Sequence, residues 1–343
     1  MINRLIKPFR NWIAGTPSML LTNILLTHRC TQNCLQCTIP QQKTDNEFMR
    51  FSDFQVILKR LTGQGTLGLT LSGGEPMLHP EIEKFVAYAH KTGFLRLHIL
   101  TTLYYPESVF IKLLSILEKY PVSLSCSFDG FGETADYLRG AKDVAAIVES
   151  NMRKINALMQ AKGIKRKVGM NIVCNGLNLQ QIPDIFKLAE ELGWKVNLDM
   201  YRWLSDNQKE CEELKHTDMA AIGEIVKLAQ ASKAVWTPDW LMLGYTDYLQ
   251  DNFEKFCPYL IMPSFGSKFF INPDGEVEVC FGDPVGNILK QTLSEIFASE
   301  VWKAKREQFR KCKGCWNTCY TLTAGVFRHK YLKDIFKALK MVK

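Results

Sequence analysis

Three cysteines in one short segment are the first residues of this sequence that could do chemistry. Cys30, Cys34 and Cys37 follow the apolar run that ends at Leu26, with three and then two residues between them. Such a loop can place three thiolates around one inorganic core, and three thiolates on a four-iron cluster leave one iron open to a substrate or cofactor. A structural zinc ion needs a fourth protein ligand, which His28 could supply. The ligand count favours an iron–sulfur site, and zinc remains the alternative.

A second motif follows the next apolar run along the chain. Leu71 and Ser72 end a candidate strand, and Gly73, Gly74 and Glu75 come directly after it. Two glycines permit close backbone approach and unusual dihedral angles, and a glutamate can accept a hydrogen bond from an ammonium group. Alone, this motif indicates only a turn. One βα unit after a three-cysteine loop, it predicts a ligand site.

The other eight of the eleven cysteines form two sets. Disulfides do not persist in a reducing cytoplasm, so this many cysteines indicates metal ligands. The five cysteines of the set that lies late in the chain have the spacing of metal ligands. The Cys-x2-Cys pairs of a structural zinc site with four cysteines have similar spacing. The members of the late set are Cys257, Cys280, Cys312, Cys315 and Cys319. The isolated cysteines are predicted to be buried, small apolar side chains, and they are Cys126, Cys174 and Cys211.

The elements that position these residues follow from the hydrophobic pattern. From about residue 19, short apolar runs alternate with helix-period segments, which indicates successive βα units. Six strands are too few for a closed eight-stranded barrel, so we predict an α/β fold, a partial (βα)6 TIM-like barrel with its site at the C-terminal strand ends. The predicted strands are Leu20–Leu26, Thr66–Leu71, Leu95–Thr101, Val122–Phe128, Lys167–Asn175 and Lys195–Met200. The predicted helices are Ser52–Leu61, Pro80–Lys91, Pro106–Glu118, Asp143–Gln160, Leu179–Leu192 and Asp218–Ala231.

The pattern changes after about residue 254. Two short strands, Lys268–Ile271 and Glu276–Val279, flank the turn Asn272-Pro273-Asp274-Gly275. A helix from about Leu293 to Arg310 follows. This order predicts a separate, small, cysteine-rich module.

The paired motifs carry a resemblance to a known family. The Cys-x3-Cys-x2-Cys loop after the first strand and the Gly-Gly-Glu-Pro turn after the second resemble the radical S-adenosylmethionine (SAM) superfamily, over about residues 19–320. The resemblance implies that Cys30, Cys34 and Cys37 bind a [4Fe–4S] cluster whose free iron is chelated by SAM. It also implies that the turn holds the amino group of SAM. The turn residues are Gly73, Gly74, Glu75 and Pro76.

Later strand ends are similar to the family as well. Thr101 stands where the family often has a contact to the SAM ribose. Ser127 and Asp129 belong to a Ser-x-Asp-Gly segment, and alternation places them on one face, which we take as inward and facing SAM. Arg139 lies in an Asp-x-x-Arg-Gly loop and is predicted to contact a carboxylate, the alternative being an exposed loop arginine.

The same alternation places further polar side chains of the fifth and sixth strands on the inward face. Buried polar groups need partners, so such a cluster inside a barrel indicates a lined site. Asp199 and Tyr201 are the predicted substrate-side acid–base or electron-relay residues. The full inward set is Asn171, Val173, Asn175, Asn197, Asp199 and Tyr201.

The late cysteines resemble the C-terminal SPASM extension of this family, or its shorter twitch form. The Gly-x4-Cys element from Gly275 to Cys280 is part of the resemblance. It implies one auxiliary [4Fe–4S] cluster, with a four-cysteine zinc site as the alternative. The assigned ligands are Cys257, Cys280, Cys312 and Cys315, with Cys319 as a spare, an alternative ligand or a catalytic thiol.

Family resemblance implies an enzyme that reductively cleaves SAM to a 5′-deoxyadenosyl radical, which abstracts hydrogen from the substrate. A low-potential donor such as flavodoxin or ferredoxin would supply the electron. Oxidative modification of a peptide or protein side chain is the leading prediction, because such enzymes dominate the SPASM-like subset. The alternatives are a small sugar-like, cofactor-precursor or lipid substrate and, in another class, a zinc-bearing protein that binds without catalysis.

The composition is that of an ordinary globular chain. Its 343 residues are 46% apolar and 23% charged, enough for a large α/β domain and a smaller one. No apolar run approaches the roughly 18 residues of a membrane-spanning helix, so we expect a cytoplasmic protein. The predicted parts are a basic amphipathic segment at 1–18, a radical SAM core at 19–250, a SPASM/twitch-like domain at 251–325 and a basic amphipathic tail at 326–343.

The net charge of +8 is concentrated at the two ends of the chain. Residues 1–12 carry three basic and no acidic residues, and residues 328–343 carry six basic residues and one acidic residue. The neutral body between them argues against a nucleic-acid groove. Basic amphipathic segments can lie on anionic membranes, so peripheral contact with the inner membrane surface is an alternative to packing on the protein body.

Overall fold

The computed structural model describes residues 19–42, 44–202, 210–253, 257–261, 268–280, 282–312, 314–318 and 320–321. The predicted basic segments at 1–18 and 326–343, and Cys319, lie outside the described residues. Among the helices that are described, none is both long enough and apolar enough to cross a membrane.

A nine-stranded sheet forms the centre of the described structure, in the order β6-β5-β4-β3-β2-β1-β7-β8-β9. Strands β1 to β6 are parallel, and β6 and β9 do not pair with each other in the described part of the chain. The sheet is therefore open, which confirms the predicted partial barrel. Strands β1 to β6 are Leu21–Leu25, Gly68–Ser72, Arg96–Thr101, Ser123–Ser127, Val168–Cys174 and Lys195–Met200. Strands β7 to β9 are Lys268–Ile271, Glu276–Val279 and Asp283–Asn287.

Helices connect the parallel strands and cover the sheet. The side chains of Phe54, Phe85 and Phe110, one on each of the first three helices, are fully buried in the core beside Ile24 and Leu71. Helices α1 to α7 are Phe51–Gly63, Ile82–Thr92, Glu107–Lys119, Gly132–Arg139, Val144–Lys162, Ile182–Leu192 and Met219–Ala231. Helices α8 to α12 are Asp239–Met242, Tyr245–Leu249, Pro258–Ile261, Leu293–Ala298 and Glu300–Lys311. The six predicted βα units are confirmed, with ends that differ by three residues or fewer.

Five helices and strands of the described structure were not predicted, namely α4, α8, α9, α10 and β9, and one predicted helix is divided. Helix α4 and strand β9 are too short to show a periodic pattern. The helix predicted from Leu293 to Arg310 is wrong in one respect, because the chain is extended at Ser299 (φ −67°, ψ 154°). The Ser299 hydroxyl accepts a hydrogen bond from the Trp302 amide at 3.2 Å and so caps α12.

The predicted cysteine-rich module shares its sheet with the barrel, because its strands β7, β8 and β9 extend the sheet beyond β1. Strand β7 pairs in parallel with β1, with Leu21 opposite Lys268 and Ile24 opposite Ile271. The turn after β7 also docks on the barrel, because the Asp274 carboxylate accepts hydrogen bonds from the Asp45 amide at 2.7 Å and the Asn46 amide at 3.0 Å. Pairing with β7 covers the strand edge that β1 would otherwise expose.

The three isolated cysteines are buried, as predicted. Cys126 and Cys174 are fully buried, and Cys211 is 8% exposed. The Cys126 sulfur lies 3.7 Å from the Met152 sulfur of α5, which places Cys126 on the helix-covered face of β4. Neighbouring side chains on a strand point to opposite faces, so Ser127 belongs to the other face.

Candidate functional site

The first cysteine group lies in the loop that leaves the C-terminal end of β1. Cys30, Cys34 and Cys37 are all half-buried, and a tight turn joins two of them, because the Cys37 amide donates to the Cys34 carbonyl at 3.2 Å. Burial, together with the smaller effects of the nearby Glu75, Cys34 and Cys37, raises the pKa of Cys30 to about 12, against an opposing backbone hydrogen bond from Gln32. Three adjacent thiolates therefore need a cationic partner, which is the donor chemistry that an iron–sulfur cluster requires.

The two glycines of the Gly-Gly-Glu-Pro turn bring it against the base of this loop. The Gly74 amide donates to the Thr27 carbonyl at 2.8 Å. A Cβ on Gly74 would lie 2.1 Å from the Arg29 carbonyl oxygen, and one on Gly73 would lie 2.2 Å from the Thr27 carbonyl oxygen. Gly73 also has φ +141°. Close contact between two backbones is thus what these glycines provide.

The carboxylate of Glu75 is fully buried and is hydrogen-bonded by its own chain. It accepts from the Met77 amide at 2.9 Å, from the Thr101 hydroxyl at 2.8 Å, and from the Thr102 amide and hydroxyl at 2.6 and 2.7 Å. Burial raises the pKa of Glu75, and these hydrogen bonds oppose the rise. The predicted contact between Glu75 and the SAM amino group stays a prediction, and it requires that one of these donors be displaced.

Thr101 and Pro76 both belong to the hydrogen-bonded structure around the Glu75 carboxylate. The Thr101 hydroxyl donates to Glu75 and accepts a hydrogen bond from the Leu103 amide at 3.2 Å. Pro76 begins a single 3-10 turn, Pro76–Leu78, that the Glu75 side chain caps. Glu75 and Thr101 therefore tie the ends of β2 and β3 together, and the predicted ribose contact of Thr101 is untested.

Arg139 is buried between an acidic residue and the first cysteine group. It is 8% exposed, and its Nη2 forms an ion pair with the carboxylate of Asp129, which is 2% exposed. Its Nη1 lies 3.8 Å from the Cys34 sulfur. Burial lowers the pKa of Arg139, but Asp129 and Cys34 outweigh burial, so that the net shift is upward. The alternative of an exposed loop arginine is wrong.

One nitrogen of this guanidinium remains available. Arg139 Nε is buried and has no hydrogen-bond partner among the described residues. An unsatisfied buried donor is costly, so its presence beside Cys34 indicates a missing acceptor. The carboxylate of an amino-acid cofactor or a sulfur of a cluster fits that position, and the residues present thus fit both groups.

The C-terminal end of α4 holds the cysteine loop in place. The Asn33 amide donates to the Arg139 carbonyl at 3.0 Å, and the Leu35 amide donates to the Leu138 carbonyl at 3.1 Å. Gly140 has φ +59°, and a Cβ there would lie 2.3 Å from the Asn33 carbonyl oxygen. The sequence analysis did not predict this contact between the end of α4 and the cysteine loop. The Arg-Gly pair at residues 139 and 140 was a usable signal of a helix end, because glycine commonly ends helices.

Ser127 and Asp129 follow the end of β4, as the sequence predicts. Ser127 is half-buried and lies opposite Asn171 of β5. The Asp129 carboxylate also accepts a hydrogen bond from the Val173 amide at 2.8 Å. Asp129 is therefore fixed from two sides, by Arg139 and by the backbone of β5, and its predicted contact with SAM is untested.

Asp199 and Tyr201, the predicted substrate-side residues, are both held by other parts of the chain. The Asp199 carboxylate accepts from the Thr318 amide at 3.1 Å and the Thr318 hydroxyl at 2.8 Å. Burial raises the pKa of Asp199 to about 6. The Tyr201 hydroxyl accepts from the Cys211 amide at 3.1 Å. Asp199 thus binds the segment between Cys315 and Cys319, and the catalytic role of both residues remains a prediction.

The late cysteines share one region of the structure. Cys257 and Cys315 are buried, Cys280 is half-buried and Cys312 is exposed. Burial raises the pKa of Cys280 well above its ordinary value, and the nearby Cys315, Cys257 and Cys312 raise it further. Cys280 also has φ +38°, an uncommon conformation for a residue other than glycine. Thiols that lie this close together need a cationic group if they are to ionise together, as do those of the first group.

Among the cysteines that the structure describes, neither group is arranged around a single metal ion. In the part of the chain that is described, no three His, Cys, Asp or Glu residues are grouped so as to hold one metal ion. His28, the alternative fourth zinc ligand, has Nδ1 3.2 Å from the Gln42 carbonyl oxygen, and its Nε2 is buried without a described partner. The fit of each cysteine group to a cluster rests on the shared location of the thiols and on the raised pKa values of Cys30, Cys37 and Cys280.

Two family models match this chain. The model of the radical SAM superfamily matches residues 24–189. A model described as an iron-sulfur cluster-binding domain of the SPASM type matches residues 264–320. The first range contains Cys30, Cys34 and Cys37, and the second contains Cys280, Cys312, Cys315 and Cys319.

Curated relatives cover most of the chain at low identity. The PqqA peptide cyclase of Gluconobacter oxydans (strain 621H) is 24% identical over 299 residues, which are 84% of this chain and 77% of that protein. The antilisterial bacteriocin subtilosin biosynthesis protein AlbA of Bacillus subtilis (strain 168) is 24% identical over 333 residues, 88% of this chain and 68% of that protein. The Fe-coproporphyrin III synthase of Methanosarcina barkeri (strain Fusaro / DSM 804) is 28% identical over 169 residues, 48% of this chain and 40% of that protein.

Solved structures share the fold. SuiB of Streptococcus suis bound to S-adenosylmethionine has a TM-score of 0.65 at 15% identity, covering 94% of this chain and 78% of that one. SuiB bound to the precursor peptide SuiA has a TM-score of 0.64 at 15% identity, covering 87% and 70%. Native anSMEcpe with bound AdoMet and Cp18Cys peptide has a TM-score of 0.55 at 16% identity, covering 95% and 99%.

Proposed function

This chain belongs to the radical SAM superfamily and carries a SPASM domain, and on that premise we propose that it oxidatively modifies a peptide or protein side chain. It is an enzyme whose cofactors are SAM and [4Fe–4S] clusters, one of them auxiliary. The observation that carries the site assignment is the buried Arg139, whose Nη1 lies 3.8 Å from the Cys34 sulfur and whose Nε lacks a partner among the described residues. A peptide is favoured because relatives along most of the chain are a PqqA peptide cyclase and a bacteriocin biosynthesis protein.

The first cluster and SAM are assigned to the carboxyl ends of β1 to β4. Cys30, Cys34 and Cys37 would hold the cluster, and Arg139 Nε would donate to the SAM carboxylate. The remaining assigned SAM contacts are Gly73, Gly74, Glu75, Pro76, Thr101, Ser127 and Asp129. When bound, the cluster and SAM supply a one-electron reduction that ends in hydrogen abstraction from the substrate.

The chain's own residues shape this site. Gly74 and Glu75 donate their amides to the loop carbonyls of Thr27 and Arg29, at 2.8 and 2.7 Å. Helix α4 holds the other side of the loop through its last carbonyls. Because these contacts hold the cysteine loop from two sides, the thiols are fixed in position before the cluster binds. Less ordering of the loop is then needed when the cluster binds. Burial of Glu75, Asp129 and Arg139 keeps water from this side of the site.

The auxiliary cluster is assigned to the late cysteines. Cys257, Cys280, Cys312 and Cys315 are the proposed ligands, and Asp199 positions the segment that follows Cys315. Iron analysis of anaerobically purified protein tests this assignment, since two clusters give about eight irons per chain. About four irons with one zinc would support a structural zinc site in the second group instead.

Activity is tested with dithionite-reduced, reconstituted protein. We expect 5′-deoxyadenosine to form from SAM, and a precursor-type peptide to lose hydrogen, seen as a mass decrease. Cys34→Ala removes a ligand and is expected to abolish SAM cleavage. Cys126→Ala is the matched control, because this buried thiol lies outside both cysteine groups. SAM cleavage without peptide modification would contradict only the substrate class, whereas unaltered SAM in the wild type would contradict the enzyme assignment.

A small-molecule substrate is the second candidate. The relative with the highest identity among those described above, 28% over 48% of this chain, is an Fe-coproporphyrin III synthase. A cofactor precursor would then replace the peptide at the same strand ends. Consumption of a porphyrin precursor in the same assay, with no change in any peptide mass, would favour this candidate.

The remaining proposals concern the surroundings of the enzyme. A small low-potential protein such as flavodoxin or ferredoxin would deliver the electron, and the cytoplasm would keep the many thiols reduced.

The proposed boundary between the core at 19–250 and the SPASM/twitch-like domain at 251–325 is compatible with the two matched ranges. Peripheral membrane contact would use the basic ends, and liposome co-sedimentation that persists after their deletion would remove that idea.

A further inference from the structure

The ion pair between Arg139 and Asp129 lies directly beside a proposed cluster ligand. Arg139 Nη1 is 3.8 Å from the Cys34 sulfur, and Nη2 contacts Asp129. The side chains are 10% and 1% exposed, in contrast to the arginine of the Arg153–Glu191 pair on the surface, which is 47% exposed. Water therefore screens the charges of Arg139 and Asp129 poorly, and their field acts on the thiolate at close range.

We propose that this buried pair sets the reduction potential of the first cluster, with Arg139 raising the potential and Asp129 lowering it. The inference rests on the proposed function, because it requires a cluster on Cys30, Cys34 and Cys37. Reduction adds one electron to the cluster, taken from a low-potential donor, and no bond changes in this step. A fixed cation stabilises the added negative charge, and a fixed anion destabilises it.

The geometry assigns opposite effects to the two partners. Arg139 contacts the cluster ligand through Nη1, which lies 3.8 Å from the Cys34 sulfur, whereas Asp129 contacts the other terminal nitrogen, Nη2, of the same guanidinium. Asp129 is held in this place by the Val173 amide at 2.8 Å, and the Arg139 carbonyl is held by the Asn33 amide at 3.0 Å. The two charges thus keep a fixed distance from the loop during reduction, which is what a constant effect on potential requires.

The test is a redox titration of the reconstituted protein with mediators, followed by electron paramagnetic resonance in the absence of SAM. Omitting SAM separates the effect on potential from any contact with the SAM carboxylate. Arg139→Gln is expected to shift the potential of the first cluster to more negative values. Asp129→Asn is expected to shift it to more positive values. Arg139→Lys keeps the charge and is expected to stay close to the wild type.

Two controls distinguish this effect from a merely structural one. Arg153→Gln removes a cation of equal charge from the surface, where water screens it, and is expected to leave the potential unchanged. The double variant, Arg139→Gln with Asp129→Asn, is expected to fall between the two single variants. A structural role alone lowers iron content or thermal stability in both variants but does not move the potential in opposite directions.

The outcomes separate the two proposals. If the wild-type protein binds no iron in the first cysteine group, the proposed function itself is overturned. If the cluster forms in the wild type and in Arg139→Gln, equal potentials in these two proteins overturn only this inference. If Arg139→Gln loses the cluster, Asp129→Asn decides, and a potential there that is unchanged or more negative than in the wild type overturns the inference. Shifts of the same sign in Arg139→Gln and Asp129→Asn overturn it as well.

Discussion

Among single residues, Asp199 joins the barrel to the second cysteine group. Its carboxylate accepts two hydrogen bonds from Thr318, and Asn197 donates to the Thr318 hydroxyl at 3.1 Å. Burial raises the pKa of Asp199 to about 6, while Lys268 and the Thr318 hydrogen bonds oppose the rise. Asp199, which is predicted to act on the substrate, thus also connects the barrel to the segment that contains Thr318. Its protonation is therefore coupled to folding.

This coupling predicts a pH-dependent stability. Folded Asp199 keeps its proton up to about pH 6, whereas the unfolded carboxyl loses it near pH 3.8. The folded state binds more protons between these values, so the stability that Asp199 contributes is lost as pH rises toward and through 6. Relative to Asp199→Asn, we expect wild-type unfolding free energy to fall by about 1 kcal/mol from pH 5 to pH 7.5.

Urea denaturation of both proteins at the two pH values measures this difference. The asparagine keeps an oxygen that can accept from Thr318, so Asp199→Asn removes the titration and retains a hydrogen-bonding group. A gap between the two proteins that stays constant with pH would contradict the raised pKa of Asp199.

At the level of elements, the first cysteine loop is held between a turn and a helix end. The turn at Gly73 and Gly74 contacts the backbone of residues 27–29, and α4 pairs with Asn33 and Leu35. Both contacts are between backbones, so they depend on the absence of a side chain at Gly74 and Gly140. The loop geometry is therefore set by its neighbours as much as by its own sequence.

Gly74→Ala tests this dependence. The new Cβ would lie 2.1 Å from the Arg29 carbonyl oxygen, so the turn must move away from the loop. We expect a destabilisation of about 1–3 kcal/mol and a loss of iron from the first group. Gly63→Ala is the matched control, because nothing lies within 4 Å of its Cβ position at the end of α1.

Thermal unfolding and iron content after reconstitution are the measurements for both variants. Gly63→Ala is expected to retain wild-type iron and stability. A Gly74→Ala protein with a full complement of iron and an unchanged melting temperature would show that the loop does not need this close approach.

For the whole molecule, the small cysteine-rich module completes the sheet and the core. Strand β7 pairs with β1, and the Trp316 indole donates to the Leu241 carbonyl at 2.7 Å. Phe269 and Ile271 of β7 are fully buried. The module therefore shares its sheet and part of its core with the barrel, even though its sequence pattern and its cysteines differ.

Removal of this module is expected to destabilise the barrel. A chain that ends at Phe253 lacks β7, which leaves the edge of β1 unpaired and its apolar neighbours uncovered. We expect this chain to aggregate or to unfold at a lower temperature than the full chain. Size-exclusion chromatography and thermal melting check this, and a monodisperse fragment with an unchanged melting temperature would contradict it.

The order of local elements was predictable because it depends on local patterns. Apolar runs and helix periodicity placed the six βα units within three residues of their observed ends. They failed at α4, which has only eight residues, and at Ser299, where one hydroxyl caps a new helix. Short elements are stabilised by contacts with distant residues, and such contacts leave no periodic pattern in the chain.

By itself, the sequence determined which residues could bind clusters and the order of the strands that carry them, since ligand spacing and hydrophobic period are local properties. Only the tertiary structure decided that Glu75 is hydrogen-bonded by Thr101 and Thr102, that Arg139 lies between Asp129 and Cys34, and that β7 joins β1. These contacts join residues far apart in the chain, and packing and hydrogen bonding in the folded protein select them.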